Sequence, residues 1–398
     1  MSEDAASVPD GTATSRDDTE NEIVESVRAW VDAEVMPSAH ELETSNTYPE
    51  RHIEQMKAMG VYGLLVPEDH GGSGVSLRCF ALVTEELARG WMSLAGAMGG
   101  HSVVVELLRR YGTTDQQARY LPSLAAGELR ATMALTEPSG GSDLQAMSTV
   151  ATRVGDRYVL RGSKTWISNA EKAGLIAVLC KTDPNAEPRH RGMSVLLVEK
   201  GPGVVVGRSL PKLGYRGIES CELYFDECEV APDAVLGEKD GAGFAQMMRG
   251  LEVGRIQVAA RATGVARAAF DAALAYAQQR ESFGVPIWQH QSVGNHLAEM
   301  ATKLAAARAL LVSAAEKYDR DGHANVEAGM AKYFASEACA EITMRSLRVH
   351  GGAGYSTDLD VERYYRDAPL MIVGEGTNEI QLGVIARELV RRGELPLL

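Results

Sequence analysis

The sequence predicts an α+β chain with an N-terminal α-helical domain, a middle β-sheet or barrel domain and a C-terminal antiparallel helical bundle. Three changes of pattern along the chain carry this expectation. Apolar residues recur three and four apart in the first third, alternate with polar ones in the middle, and give way to long alanine-rich stretches free of proline in the last third. The 398 residues are too many for one small core and suit two or three packed units. We place these at 21–132, 133–235 and 236–398, behind a disordered acidic tail over 1–20.

In the first unit Ile23, Val27, Trp30 and Val31 share one helical face, as do Phe80, Val83 and Leu87. Pro37, Pro49, Pro67 and the run Gly71-Gly72-Ser73-Gly74 are expected to cut the region into separate helices. In the second, Cys221, Leu223 and Phe225 alternate with Glu222, Tyr224 and Asp226, the period of a half-buried strand. Short apolar runs at Leu175–Leu179 and Val195–Val198 read as further strands. In the third, no proline interrupts the chain between Pro232 and Pro286 or between Pro286 and Pro369, and a break falls at Asp319–Gly322. Gly250, Gly254 and Gly264 lie inside the first of these helical patterns, where each costs about 1 kcal/mol relative to alanine, so close packing or a ligand should justify them. There is no internal repeat and no GxGxxG between a strand and a helix, so no Rossmann unit is indicated.

Composition excludes several classes of function. Hydrophobic residues at 45% and charged residues at 24% are ordinary for a soluble globular protein. A net charge of −14 repels nucleic acid and anionic membranes, so an anionic ligand must be held by local cations. The five cysteines form no CxxC pair or Cys/His cluster, which implies reduced core thiols and no metal site. No stretch is apolar enough to insert in a membrane, and the N-terminus lacks both a secretory pattern and the arginines of a transit peptide, so a cytoplasmic protein is expected.

Three segments carry candidate chemistry. Ala134 to Asp143, rich in hydroxyls and glycine, stands where helical pattern gives way to strand; it suits a plain connection as well as a loop that brings backbone N–H groups to a polar ligand. In Lys164-Thr165-Trp166-Ile167-Ser168-Asn169 a tryptophan and a hydroxyl share one strand face, which fits a flat tricyclic ring or simply a core tryptophan beside a satisfied serine. In Gly374-Glu375-Gly376-Thr377 a carboxylate between two glycines follows the apolar run Leu370–Val373. Such a glutamate is either a partly desolvated base or a solvated turn residue. Gly351, Gly352 and Gly354 behind His350 mark a close backbone approach or a helix stop.

Taken in order, these segments resemble the acyl-CoA dehydrogenase family, and the resemblance runs from about Glu22 to Arg392. Lys212 to Gly217, Arg280-Glu281-Ser282-Phe283-Gly284, His290-Gln291 and Tyr365 to Ala368 extend it. The resemblance implies FAD as cofactor, an acyl-CoA substrate, a homotetramer built as a dimer of dimers, and an electron-transfer flavoprotein as electron acceptor. It implies that Glu375 takes the α-proton while the β-hydride passes to flavin N5, giving the trans-2-enoyl-CoA. Leu135, Thr136, Ser142, Trp166, Ile167 and Ser168 are then expected at the flavin, with Thr377 and Glu379 closing the site. Arg280, Phe283, Gln291, Arg348, Gly351 and Gly352 are expected on the ADP part, and Ser142, Glu252, Arg255 and Gly376 along the substrate.

Gly254 occupies the alternative base position used by some members, which leaves Glu375 as the one candidate. Three departures stand out: Gly374 where many members have tyrosine, Arg348 for glutamine and Ser168 for threonine. Two further readings of the same fold are an enzyme acting on a carrier-protein thioester and an oxidase using oxygen. A non-catalytic subunit of a hetero-oligomer is opposed by Trp166, Ser168, Arg280 and Glu375 occurring together.

Overall fold

In the computed structural model, which describes residues 15–393, the first helix begins earlier than its apolar pattern suggests. Ser15 accepts from the Asp18 N–H and Asp18 reaches back to the Ser15 N–H, a capping box that starts α1 (Arg16–Trp30) inside the stretch expected to be a tail. The rest of that expected tail lies outside the described residues. Pro37 also fails to break the chain. A π-helical turn over Val31–Val35 leads into α2 (Met36–Thr44), and Pro37 sits in its first turn, where its missing N–H costs little.

Pro49 and Pro67 do act as boundaries, immediately before α3 (Glu50–Ala58) and a 3-10 turn at Glu68–His70. The helices α4 (Leu77–Gly90), α5 (Met92–Ala97), α6 (Gly99–Tyr111) and α7 (Thr114–Ala125) complete the first region. Every residue of α4 but Arg78 is buried, including the charged Glu85, Glu86 and Arg89.

Seven strands follow: β1 (Ala131–Ala134), β2 (Val150–Val154), β3 (Arg157–Ser168), β4 (Leu175–Lys181), β5 (Met193–Glu199), β6 (Val204–Ser209) and β7 (Ser220–Val230). They hydrogen-bond in the order β1-β4-β2-β3-β7-β6, with β5 antiparallel to β4 and β1 parallel to it. The two apolar runs noted in the sequence are β4 and β5, and both of their faces are covered. Leu175, Ala177, Leu179, Val195 and Leu197 pack with α6 and α7, while Ile176, Val178, Leu196 and Val198 pack with the rest of the sheet. Strand β7 alternates as its sequence requires, with Leu223 and Phe225 inside and Tyr224 and Asp226 outside.

The C-terminal region comprises α8 (Gly243–Gln279), a small hairpin of β8 (Glu281–Ser282) and β9 (Val285–Pro286), then α9 (Gln291–Asp321), α10 (Asn325–His350), α11 (Val361–Val373) and α12 (Asn378–Arg392). Gly322 ends α9 in the left-handed conformation at the break expected there. The largest apolar core joins α1 and α4 to α8, α9 and α10. At Gly264 a β-carbon would stand 2.2 Å from the Glu85 carbonyl oxygen, so glycine sets the approach of α8 to α4. Across that contact the buried carboxylates Glu85 and Glu86 pair with Arg267 of α8, and Glu85 also with Arg308 of α9. All five cysteines are buried and free. No described helix is long and apolar enough to cross a membrane.

Candidate active site

The apolar end of α11 delivers Glu375 into the interior. Its backbone is left-handed at φ 54°, an uncommon state for a residue with a side chain. The residue as a whole is half-buried, but Oε2 is sealed from solvent and has no hydrogen-bond partner. Burial therefore raises its proton affinity, and the charges of Arg261, Arg255 and Lys332, in that order, partly oppose the rise. Opposite stands α8, where a β-carbon on Gly254 would lie 2.9 Å from Glu375 Oε2. The absent side chain at 254 is the space the carboxylate uses.

Lys332 of α10, fully buried, holds the glutamate's loop from behind. Its ammonium donates to the Ile372 carbonyl at 2.9 Å, the Gly376 carbonyl at 2.9 Å and Asn378 Oδ1 at 2.8 Å. Burial pushes its pKa down to about 8. Gln381 adds weaker donation to the carbonyls of Glu375 and Gly376 at 3.3 and 3.2 Å. The Thr377 hydroxyl caps α12 by accepting from the Ile380 N–H, and Glu379 is exposed in the first turn. Lys332 and Gln381 are absent from the sequence-derived site.

A second group gathers at the sheet. Lys164 faces Leu223 and Ile167 faces Cys221, so three steps on β3 oppose two on β7. The extra residue makes a bulge, and Trp166 within it has φ 62° and is 57% exposed. Ser168, half-buried, lies 3.3 Å from the Ser220 hydroxyl. Ile167 departs from expectation: its side chain is 3% exposed in the sheet core, so only its backbone remains available to a ligand.

Leu135 and Thr136 follow β1, and the Thr136 carbonyl accepts from the Thr165 N–H at 2.9 Å, which ties the hydroxyl-rich loop to the bulge. Below them the buried pair of Lys164 and Glu137, 3.0 Å apart, anchors the loop. Lys164 also donates to the Leu135 carbonyl, and Glu137 accepts from the N–H groups of Ser148 and Thr149. Burial alone would raise the Glu137 pKa, but Lys164 and these donors bring it down to about 2. Ser142, further along the loop, is exposed. Tyr215 is 4% exposed; burial raises its pKa, with Arg261 and Ser168 opposing the rise and Glu375 adding to it.

A third group sits at the α8–α9 turn. Arg280 ends α8, Phe283 occupies the tip of the β8–β9 hairpin at 96% exposed, and Gln291 opens α9. The hairpin and the turn after it pack on α8 and α9. Arg348 is exposed near the end of α10, followed by Gly351 and Gly352, where added β-carbons would meet nothing within 4 Å.

The expected substrate contacts differ most. Glu252 and Arg255 are 4% and 5% exposed. Glu252 is spent on Arg249 and on the Ala324 N–H, and Arg255 donates to Asn325 Oδ1 at 2.7 Å. Both hold the α9–α10 connection because that turn packs directly on α8, and Glu252 is not free for a ligand. Gly376, exposed at φ 83°, remains accessible beside Glu375.

The residues present fit FAD. An uncovered indole face beside a hydroxyl suits a flat polar ring system, and exposed arginines next to open glycines suit a pyrophosphate.

Comparison with known proteins agrees over nearly the whole chain. The acyl-CoA dehydrogenase N-terminal, middle and C-terminal domain models match residues 17–128, 132–228 and 241–390. An acyl-CoA dehydrogenase of Bacillus subtilis (strain 168) is 39% identical over 366 residues, 92% of this chain and 96% of that protein. Butyryl-CoA dehydrogenase from Megasphaera elsdenii has a TM-score of 0.91 at 32% identity, covering 96% of this chain and 100% of its own. A chain in the structure of the electron transferring flavoprotein of Acidaminococcus fermentans also has a TM-score of 0.91, at 34% identity and the same coverage. Helical, sheet and helical regions in this order, matched by three domain models and by relatives of full length, place the chain in the acyl-CoA dehydrogenase family, as an FAD-dependent flavoprotein acting on the CH–CH group of its donors.

Proposed function

We propose that Glu375 removes the α-proton of an acyl-CoA thioester, which the enzyme desaturates to the trans-2-enoyl-CoA. The observation that carries this reading is the Glu375 carboxylate, buried, without a hydrogen-bond partner and facing the gap at Gly254. A carboxylate in that setting has an ordinary proton affinity raised toward neutrality, which suits proton abstraction next to a polarised carbonyl. The thioester carbonyl is assigned to the backbone N–H of Glu375, with Gly376 giving it access. Bound FAD supplies the acceptor for the hydride that leaves the β-carbon.

Trp166 and Ser168 hold the flavin ring, with Leu135, Thr136, Ser142, Thr377 and Glu379 around it. Arg348, Gly351 and Gly352 take the pyrophosphate and adenine end, together with Arg280, Phe283 and Gln291 of a neighbouring subunit in a homotetramer. Near-complete exposure of Phe283 on a turn that packs on its own two helices supports that division. The electron acceptor is an electron-transfer flavoprotein, a reading supported by the likeness to the Acidaminococcus chain.

Stopped-flow flavin reduction by acyl-CoA tests the central role. Glu375→Gln is expected to bind FAD and acyl-CoA yet reduce its flavin about 10²–10⁴-fold more slowly. Reduction at the rate of the unmodified enzyme overturns the assignment.

A further inference from the structure

The face of α8 that looks at Glu375 carries more than Gly254. Gln257 and Arg261 follow at helical spacing on the same side, one and two turns on. Gln257 is fully buried and Arg261 is 7% exposed. The Arg261 guanidinium folds back to Gln257, donating from Nη2 to Oε1, which is its one hydrogen bond among the described residues. Its Nε is buried without a partner, and so is Nε2 of Gln257. No described carboxylate pairs with this arginine, whereas the buried arginines Arg89 and Arg363 have acidic partners and Arg255, buried and also without an ion pair, at least donates to the Asn325 side chain. Room for the guanidinium comes from Gly99 at the start of α6, where a β-carbon would stand 2.6 Å from Nη2.

A buried guanidinium is costly unless an anion neutralises it. Glu375 does not supply that contact. Its Oε2 has no hydrogen-bond partner, although the two charges are near enough for Arg261 to be the first of the cations acting on it. Two unpaired donors therefore share the interior with the unpaired base. The start of α6, positive by its helix dipole, adds to the preference for negative charge.

We propose that the acyl group of the natural substrate ends in a carboxylate, which Arg261 and Gln257 bind. This rests on the reading of Glu375 as the base of thioester desaturation. The guanidinium, drawn back toward Gln257, lies about one helical turn, roughly 5 Å along α8, from the level of Gly254 and Glu375. That separation fits a short chain of the succinyl or glutaryl type. The reaction balance is that of the family: the α-proton goes to Glu375 and the β-hydride to FAD, and the terminal carboxylate is unchanged. Pairing with that carboxylate also removes Arg261's pull on Glu375, so the substrate itself strengthens the base.

Paired substrates of equal length test the inference: succinyl-CoA against butyryl-CoA, and glutaryl-CoA against valeryl-CoA. For at least one pair kcat/KM for flavin reduction should favour the carboxylate at least tenfold. Arg261→Gln should collapse that ratio to one or below, and Arg261→Lys should keep part of it. On Glu375→Gln protein, in which turnover is slowed enough to measure binding, calorimetry should show the same preference in Kd, lost when Arg261→Gln is added. Uncharged acyl-CoAs that reduce the flavin as well as or better than both dicarboxylic ones would overturn the inference and leave the proposed function standing. No reduction by any of the four, with binding intact, would instead strike the proposed function. If Arg261→Gln fails to fold, the substrate ratios of the unmodified enzyme and of Arg261→Lys still decide.

Discussion

Glu375 shows how one residue's chemistry is set by what is missing around it. Burial raises its folded pKa, and the proposed proton abstraction needs the carboxylate, so turnover should climb as pH rises through a value above 4.5. Lys332 is one of the cations opposing that rise. Lys332→Met should therefore move the acid limb of the pH–rate profile to higher pH, a shift that a purely structural role would not produce. The stability sign is the reverse: a raised carboxylate stabilises the fold fully below its unfolded value and loses that contribution as pH rises through the folded one. Glu137 behaves oppositely. Lowered to about 2, it stabilises above its unfolded value and loses that contribution as pH falls through the acid range. Glu137→Gln would strand the buried Lys164 and should cost about 3–5 kcal/mol, read by denaturant unfolding, with loss of flavin as the loop loosens. Glu375 is legible in the sequence because an apolar run and two glycines bracket it. Lys332 is not, since its partners at Ile372, Gly376 and Asn378 meet it only once α10 packs on α11 and α12.

At the scale of elements, glycines decide how closely α8 can be approached. Gly254 admits the Glu375 carboxylate, and Gly264 admits the backbone of α4. In Gly264→Ala the gain in helix propensity is about 1 kcal/mol. A β-carbon 2.2 Å from a main-chain oxygen forces the two helices apart at a cost of about 1–3 kcal/mol or more. The net outcome should be a melting temperature lower by about 1–3 °C in calorimetry. The sequence marks these glycines as costly but cannot tell which one meets a helix and which meets a carboxylate. The same limit applies at β3. Alternation places Trp166 and Ser168 on one face, yet the bulge that turns the indole outward depends on β7's register, which no local pattern encodes. Pro37 illustrates a rule with two outcomes, since proline both ends helices and occupies their first turn, and the π turn before it selects the second.

At the scale of the molecule, large apolar side chains left on the surface ask for company. Phe283 at 96% and Tyr355 at 86% exposed are the clearest cases. Phe283→Ser should shift the enzyme toward smaller species in analytical ultracentrifugation and lower its FAD content together; loss of neither would contradict the shared cofactor site. The three-part architecture is readable from periodicity alone, because helical, alternating and alanine-rich patterns occupy separate stretches. The packing of the α9–α10 turn on Glu252 and Arg255 is not, and it removes Glu252 from the substrate path. The central question is whether this flavoprotein takes hydrogen from acyl-CoA at Glu375. Anaerobic titration of the purified protein with a panel of acyl-CoAs, following flavin absorbance, tests that most directly. Bleaching by one acyl class is expected in the unmodified enzyme and its near absence in Glu375→Gln; a yellow protein indifferent to every acyl-CoA, or a variant that bleaches as fast, would contradict the role of Glu375.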